Sequence, residues 1–361
     1  MSKHISKFIG WDIGGAHLKA ALLSDSGEVL QVLQLPCQLW KGLDQLEKAI
    51  NNTLQAFKIA PSGASHAVTM TGELVDLFQN RHQGVMEISK LAAKLLGKDT
   101  LFYAANNGFV DLERVSALTP YIASTNWHAS ASALAMHAGD VLFIDIGSTT
   151  TDIVAIEGGK VIKNGLSDAS RMAADSLVYT GVVRTPVMAL AQKLSFEGIE
   201  TNVAAEYFAT MADVYRLTGE LLPEHDMSDT ADGKGKTELE SARRLARMIG
   251  QDVESKPIEA WKALAKTCKT LQINQISAAV AKHLKPNMMI IGAGAGSFLV
   301  QQIAHQLNCA YKPISMRLTG LPWSALVQGH VNLNLKHDLE VCFPAFAVAL
   351  LAKKQLARQY A

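Results

Sequence analysis

Phe8-Ile9-Gly10-Trp11-Asp12-Ile13-Gly14-Gly15-Ala16-His17-Leu18-Lys19-Ala20-Ala21-Leu22-Leu23 is the stretch that decides the fold. Two apolar runs flank an Asp-Ile-Gly turn, which predicts a buried β-hairpin. At an offset of 133 residues the pattern returns as Val141-Leu142-Phe143-Ile144-Asp145-Ile146-Gly147-Ser148-Thr149-Thr150-Thr151-Asp152-Ile153-Val154-Ala155-Ile156. Both copies then reach a glycine turn and a third apolar run, Gly27-Glu28-Val29-Leu30 and Gly159-Lys160-Val161-Ile162. Such a repeat predicts two related half-molecules.

Working outward, each half continues with alternating strand and helix signals. Leu43 to Phe57 has helical apolar spacing, His66 to Thr71 is β-rich and ends in Thr71-Gly72-Glu73, Ile88 to Leu96 is helical, and Leu101 to Ala105 reads as a short strand. The alternation predicts an α/β protein. Met172 to Leu284 interrupts the second half and is expected to be a mostly helical insertion, holding the polar segment Glu220 to Glu240. After it, Asn287 to Ser297 reads as a strand entering the glycine turn Gly292-Ala293-Gly294-Ala295-Gly296-Ser297, followed by a helix to about His305. Val341 to Arg358 is a helix candidate that returns to the first half, with Pro344 near its start. The expected domains are 1–139 with 340–361, and 140–339 with the insertion at about 172–284.

Composition narrows the function classes. The chain has 361 residues, 34 Lys and Arg against 33 Asp and Glu, and a formal net charge of +1, which argues against a general nucleic-acid binder. Apolar residues at 48% against 19% charged residues favour a folded chain over a disordered one. Cys37, Cys268, Cys309 and Cys342 follow neither a metal-binding nor a disulfide spacing, and the N-terminal residues contain no apolar signal segment, so a reducing, cytoplasmic setting is expected. The longest apolar stretch, Met288 to Val300, contains three glycines and a serine and is too short to span a bilayer, so no membrane segment is expected.

The two turns are candidates for phosphate binding. Tight turns direct several backbone N–H groups at one point, and Gly14, Gly15 and Gly147 let an anion approach without a Cβ in the way. Ser148, Thr149, Thr150 and Thr151 are expected to add hydroxyl donors. Asp12 and Asp145, at the strand ends, are the expected holders of a hydrated Mg²⁺. One Asp-Ile-Gly is most often an ordinary turn. Two in register, followed by a third glycine turn with Gly292, Gly294 and Gly296, point to phosphate.

This three-part pattern resembles the actin, Hsp70 and sugar-kinase superfamily. The resemblance implies two ribonuclease-H-like domains of the actin-like ATPase fold, with a helical insertion in the second and a ligand in the cleft between them. The hairpins, with Thr71-Gly72-Glu73, Asp76 and Phe78, are similar to those of the hydantoinase A and oxoprolinase group. Leu39-Trp40-Lys41-Gly42, Asn126-Trp127-His128-Ala129, Tyr179 to Pro186, Ala231 to Lys234 and Arg243 to Met248 resemble one branch of it, the methanofuran-biosynthesis synthases.

That resemblance implies a transferase. An aminomethyl-furan-methanol diphosphate loses pyrophosphate while the phenol of γ-glutamyltyramine or a related tyramine derivative takes its place in an ether bond, without need of ATP. The expected partners are therefore small molecules. Cationic candidates for the leaving group are Lys19, Lys41, Arg184 and Lys234, and candidate bases for the phenol are His17, Asp152 and Glu73. Arg184 serves equally as a structural ion pair, Lys234 as a solvated loop residue, and Arg243, Arg244 and Arg247 as a salt-bridged helix face. Trp127 reads as core packing or as a stacking surface. Two further readings stay open: an ATP-dependent small-molecule kinase or oxoprolinase-like amidohydrolase, and a nucleotide-gated interaction module. Oligomeric state is open.

Overall fold

The apolar run that opens the sequence becomes β1 (Lys7–Ile13), paired antiparallel with β2 (His17–Ser24), which pairs antiparallel with β3 (Val29–Pro36). The computed structural model describes residues 7–317 and 338–359. Residues 318–337, which the expected boundaries give to the second half, lie outside them. After a 3-10 turn at Leu39–Lys41 come α1 (Leu43–Phe57), β4 (Ser65–Met70), a second 3-10 turn at Gly72–Leu74 and α2 (Arg81–Leu96). Next are β5 (Leu101–Tyr103), β6 (Phe109–Val110), α3 (Leu112–Ile122) and α4 (Asn126–Ala135). The sheet order is β3-β2-β1-β4-β5-β6, with β1 parallel to β4 and β4 parallel to β5.

Period-2 alternation sorts this sheet's two faces. Ile9, Trp11, Ile13, Val68 and Met70 join a core with Leu46, Ile50 and Leu54 of α1 and Val85 and Ile88 of α2. The opposite face carries Ala67 and Tyr103 against Ala129 and Ala133 of α4 and Ala347 and Val348 of a later helix.

The second repeat builds β7 (Val141–Ile146), β8 (Thr151–Glu157) and β9 (Lys160–Val161). Then follow α5 (Asp168–Ala173), β10 (Leu177–Val178), the hairpin β11 (Lys193–Phe196) and β12 (Ile199–Asn202), α6 (Met211–Thr218), α7 (Glu238–Arg247) and α8 (Ile258–His283). The described chain ends with β13 (Met289–Ala293), α9 (Ser297–Gln306), β14 (Tyr311–Pro313), α10 (Ile314–Arg317) and α11 (Phe343–Gln359). The second sheet runs β10-β8-β7-β13-β14, with β9 also on β8. The inserted segment takes its helical character from α6, α7 and α8; its first third is β10, a separate two-stranded hairpin and loops.

Two compact units result. The first comprises the described residues of 1–141, 154–171 and 313–361, and the second 142–153 with 172–312. Among the described residues no helix is long and apolar enough to cross a membrane.

Gly10 shows how tightly α11 lies on the first sheet, since a Cβ there would come 1.9 Å from the Ala345 carbonyl oxygen. Gly10→Ala should therefore push α11 off β1 and cost ~1–3 kcal/mol, the range for overpacking a filled core. Urea unfolding monitored by circular dichroism measures the loss.

Candidate functional site

In the first unit the β1–β2 turn closes with Gly14 N–H donating to the His17 carbonyl at 3.0 Å. Its outward carbonyls are consumed by the residues that follow β3: Cys37 N–H donates to Ala16 O at 2.8 Å and Leu39 N–H to Gly15 O at 3.0 Å. The same construction recurs in the second unit. Gly147 N–H donates to Thr150 O at 2.8 Å, Val182 N–H to Gly147 O at 3.1 Å, and Val183 and Arg184 N–H to Ser148 O at 3.1 and 2.8 Å. In each turn a strap takes two of the acceptors. The N–H groups of Gly15, Ala16, Ser148, Thr149 and Thr150 donate to no backbone acceptor among the described residues. Open N–H donors in a tight turn are the arrangement by which backbone binds anions.

Around the first turn, Asp12 stands directly across the hairpin from Lys19, with Nζ 3.8 Å from Oδ2. His17 opens β2, buried, opposite Pro36. Lys41 is exposed on the 3-10 turn whose first residue, Leu39, is bonded to Gly15. Thr71 N–H donates to Ile13 O at 2.9 Å, which carries the β-sheet pairing of β4 past its end and sets the Gly72–Leu74 turn beside the loop.

Glu73 lies in that turn and is only 1% exposed. Its Oε1 accepts a 2.6 Å hydrogen bond from Ser124 Oγ, whereas Oε2 has no partner among the described residues. Burial pushes the Glu73 carboxyl up to about 7, against the pull of the Ser124 hydrogen bond and the Arg81 charge. Asp168 accepts from Arg81 Nη2 at 2.7 Å and from Ser124 Oγ at 3.4 Å. One turn further along α5, Arg171 stacks over the Trp127 ring, 4.1 Å from its centroid. Trp127 is thus buried under a guanidinium, edge-on to His128.

In the second unit the third glycine turn seats against the second hairpin. Gly296 N–H donates to Ile146 O at 2.8 Å, and Gly294, at φ 84°, leaves room for Asp145: a Cβ there would lie 2.3 Å from its Oδ1. Gly292 lies within β13. The strap holding the second turn is fixed from behind by Gln272 of α8, buried, whose Nε2 donates to Thr180 Oγ1 at 2.8 Å and Gly181 O at 2.9 Å while Tyr215 donates to its Oε1. Arg184, on that strap, is exposed.

Lys234 is exposed on a loop that is tied down. Thr230 Oγ1 donates to Lys234 O at 2.7 Å, and Lys234 N–H donates to Asp232 Oδ1 at 3.2 Å. Fully buried Arg244 donates to Asp232 at 2.9 Å, to the Gly235 carbonyl at 3.1 Å and to Asp213 at 2.8 Å. No hydrogen bond joins Lys234 to the second turn among the described residues. Arg243 pairs with Glu254 at 3.0 Å and Arg247 with Asp232 at 3.7 Å, so all three arginines are in ion pairs.

Sequence reasoning did not single out Ser124, Arg81, Asp168, Arg171 or Gln272. Each acts through a partner far away in the chain, and local pattern carries no trace of such a partner. The nearest signal is Ser124 itself, a polar residue at φ 52° in a short break between two helices.

Residues 65–316 match the hydantoinase/oxoprolinase family. A (4-{4-[2-(gamma-L-glutamylamino)ethyl]phenoxymethyl}furan-2-yl)methanamine synthase of Methanocaldococcus jannaschii is 29% identical over 354 residues, covering 96% of this chain and 98% of that one. The enzyme of the same description from Methanococcus vannielii is 33% identical over 224 residues, covering 60% of this chain and 91% of that one. An acetone carboxylase in a nucleotide-free structure has the same fold, with a TM-score of 0.55 at 9% identity over 95% of this chain and 70% of that one.

The Glu73 carboxyl makes stability pH-dependent. Because its folded-state pKa lies above the ordinary 4.5, the native protein holds a proton that the unfolded chain releases, so this group's contribution is intact at low pH and is lost as pH rises through about 7. The full penalty above that pH is about 3 kcal/mol. The melting temperature of Glu73→Gln minus that of wild type should therefore increase between pH 5.5 and pH 8.5. Differential scanning calorimetry across that range checks it, and a pH-independent difference would contradict it.

Proposed function

We propose that this chain, which belongs to the hydantoinase/oxoprolinase family and within it to the methanofuran-biosynthesis synthases, is a transferase that joins a tyramine-type phenol to an aminomethyl-furan-methanol diphosphate with release of pyrophosphate. The product named for the two methanogen relatives is an aryl furanylmethyl ether carrying γ-glutamyltyramine. Making that ether by displacement requires a good leaving group on the methylene carbon attached to the furan. The observation that carries the reading is the pair of strapped turns, whose open N–H groups suit phosphoryl oxygens.

In this mechanism the phenol gives its proton to a base, for which His17, Asp152 and Glu73 are the candidates, and its oxygen forms a bond to the furan-bound methylene carbon while the carbon–oxygen bond to diphosphate breaks and the bonding electron pair leaves on pyrophosphate. Negative charge grows on the departing oxygens, so donors fixed before the reaction stabilise the transition state more than the ground state. Gly15, Ala16, Ser148, Thr149 and Thr150 supply such N–H donors. Lys19, Lys41 and Arg184 supply positive charge near the turns, and Gly294 and Gly296 set the position of Asp145. The furan ring delocalises positive charge at the reacting carbon, which favours early bond breaking.

Asp12 in the first unit and Asp145 in the second are hard oxygen donors of the kind that hold a Mg²⁺ which keeps most of its water. When bound, Mg²⁺ neutralises diphosphate charge. ATP is not consumed in this reading.

Purified protein mixed with Mg²⁺, the furan diphosphate and γ-glutamyltyramine should yield the ether by mass spectrometry, with one pyrophosphate per ether. Asp12→Asn and Asp145→Asn should each lower turnover about 100-fold or more, in the range found for losing an electrostatic contributor. ADP released from ATP in place of pyrophosphate would redirect the assignment to a kinase or amidohydrolase. Full activity in both variants would remove the metal role.

A further inference from the structure

The second turn is held from outside its own hairpin, and the holding group is a single buried amide. Gln272, fully buried on α8, uses both hydrogens of its Nε2, one donated to Thr180 Oγ1 at 2.8 Å and one to the Gly181 carbonyl at 2.9 Å. Its Oε1 accepts from the hydroxyl of Tyr215 on α6, also fully buried, at 2.5 Å. Thr180 is fixed a second time, because its carbonyl accepts from Thr151 Oγ1 at 2.7 Å, and the Gly181 N–H donates to Thr185 Oγ1 at 2.8 Å.

Gly181 is where the strap touches the turn. A Cβ there would come 2.5 Å from Thr149 N, 2.6 Å from Gly147 O and 2.6 Å from the Ser148 carbonyl carbon, so only glycine permits the approach. The strap cannot move inward without striking the turn. Moving outward stretches the bonds from Val182 N–H to Gly147 O and from Arg184 N–H to Ser148 O. The position of Gly181 therefore sets the backbone of Gly147 to Thr149, and the Ser148 and Thr149 N–H groups are among the open donors of the turn. A buried polar network whose members are all satisfied holds one geometry, whereas apolar packing in the same space would leave the Gly181 carbonyl without a fixed direction.

We propose that Gln272 is the positioning residue of the second anion turn, and that Tyr215 holds its amide in the orientation that faces the strap. Turned over, the amide would set Oε1 against the Gly181 carbonyl, two acceptors facing each other. Gln272 lies behind the strap and acts through Gly181 on the N–H groups that receive the diphosphate. This rests on the reading of the turns as the diphosphate site.

The test uses the whole chain and inorganic pyrophosphate with Mg²⁺, titrated by isothermal titration calorimetry at pH 5.5 and 8.5. Gln272→Glu keeps the shape and the acceptor for Tyr215 but sets an ionised oxygen against the Gly181 carbonyl. It should weaken pyrophosphate binding about 10-fold relative to wild type at pH 8.5, the scale of one lost hydrogen bond whose acceptor is left unpaired. At pH 5.5 the buried carboxyl carries a proton that it donates to the Gly181 carbonyl, so the ratio to wild type should return to within threefold. The ionisable groups beside this pair are Tyr215 itself and Cys268, both pushed far above neutrality by burial so that neither titrates between the two pH values, and Glu220, which is paired with Lys269. Tyr215→Phe, which removes only the hydroxyl, should weaken binding about fivefold at both pH values. Phe196→Leu is the control: it loosens the 4.8 Å stack on Trp261 of α8 without touching the strap, and should lower the melting temperature while leaving affinity within twofold.

A folded Gln272→Glu that binds within twofold of wild type at pH 8.5 overturns the positioning role. So does a loss in that variant that is the same at both pH values, or an equal loss in Phe196→Leu, which would mark a general loosening of the insertion. If Gln272→Glu fails to fold at pH 8.5 by circular dichroism, Tyr215→Phe decides, and affinity within twofold of wild type overturns the proposal. Failure of wild type to bind pyrophosphate overturns the diphosphate reading of the turns and the positioning role together.

Discussion

A backbone turn is best suited to an anion where its N–H groups are open and its carbonyls are occupied, and in both turns of this chain two carbonyls are occupied by the same device. A segment arriving later in the chain donates to the outward carbonyls: Cys37 and Leu39 in the first unit, Val182 to Arg184 in the second. Without the straps each turn would present donors and acceptors mixed, and an anion would meet carbonyl dipoles of the wrong sign. The straps also bring side chains that the turns do not encode. Lys41 follows the first strap and Arg184 ends the second.

The inserted segment supports the second of these straps. Gln272 of α8 holds Thr180 and Gly181 from behind, and Tyr215 of α6 fixes the amide of Gln272 by occupying its oxygen. The α6 helix in turn is tied to the strap's far end, since Met211 N–H donates to Thr185 O and Ala212 N–H to Val183 O. Asp213 then accepts from fully buried Arg244 and from Arg216, which also grips Asp226. Every buried charge in this network has an opposite partner, which is the condition under which buried ions are tolerated. Glu73, buried in the first unit with Oε2 unpaired among the described residues, stands outside this network and accepts a hydrogen bond at Oε1 from Ser124.

How much of this was legible in the sequence depended on whether the determinant was local. Leu43–Phe57 emerged as a helix over the same residues, because its apolar spacing is written in the chain. The hairpins were equally plain from repetition, and the third runs became β3 and β9. Arg244 was not legible. It shares helical spacing with Arg243 and Arg247, yet it alone is fully buried, because Asp213 and Asp232 reach it from other segments. Lys234, flanked by glycines, resembled a mobile loop for the same reason: Arg244, which holds that loop through Asp232 and the Gly235 carbonyl, follows ten residues later on another element. The inserted segment read as mostly helical because α6 to α8 dominate its pattern, while β11 and β12 are too short to register against them.

The two hairpins are repeats in backbone but not in charge. Where the first places Lys19 across from Asp12, the offset position in the second is Asp152, so a cation is replaced by a carboxylate. In the first hairpin Lys19 offsets the charge of Asp12 internally and leaves the turn near neutral. The second hairpin carries two carboxylates, Asp145 and Asp152, and the cation nearest to it in the fold's construction, Arg184, comes from the strap and not from the hairpin itself.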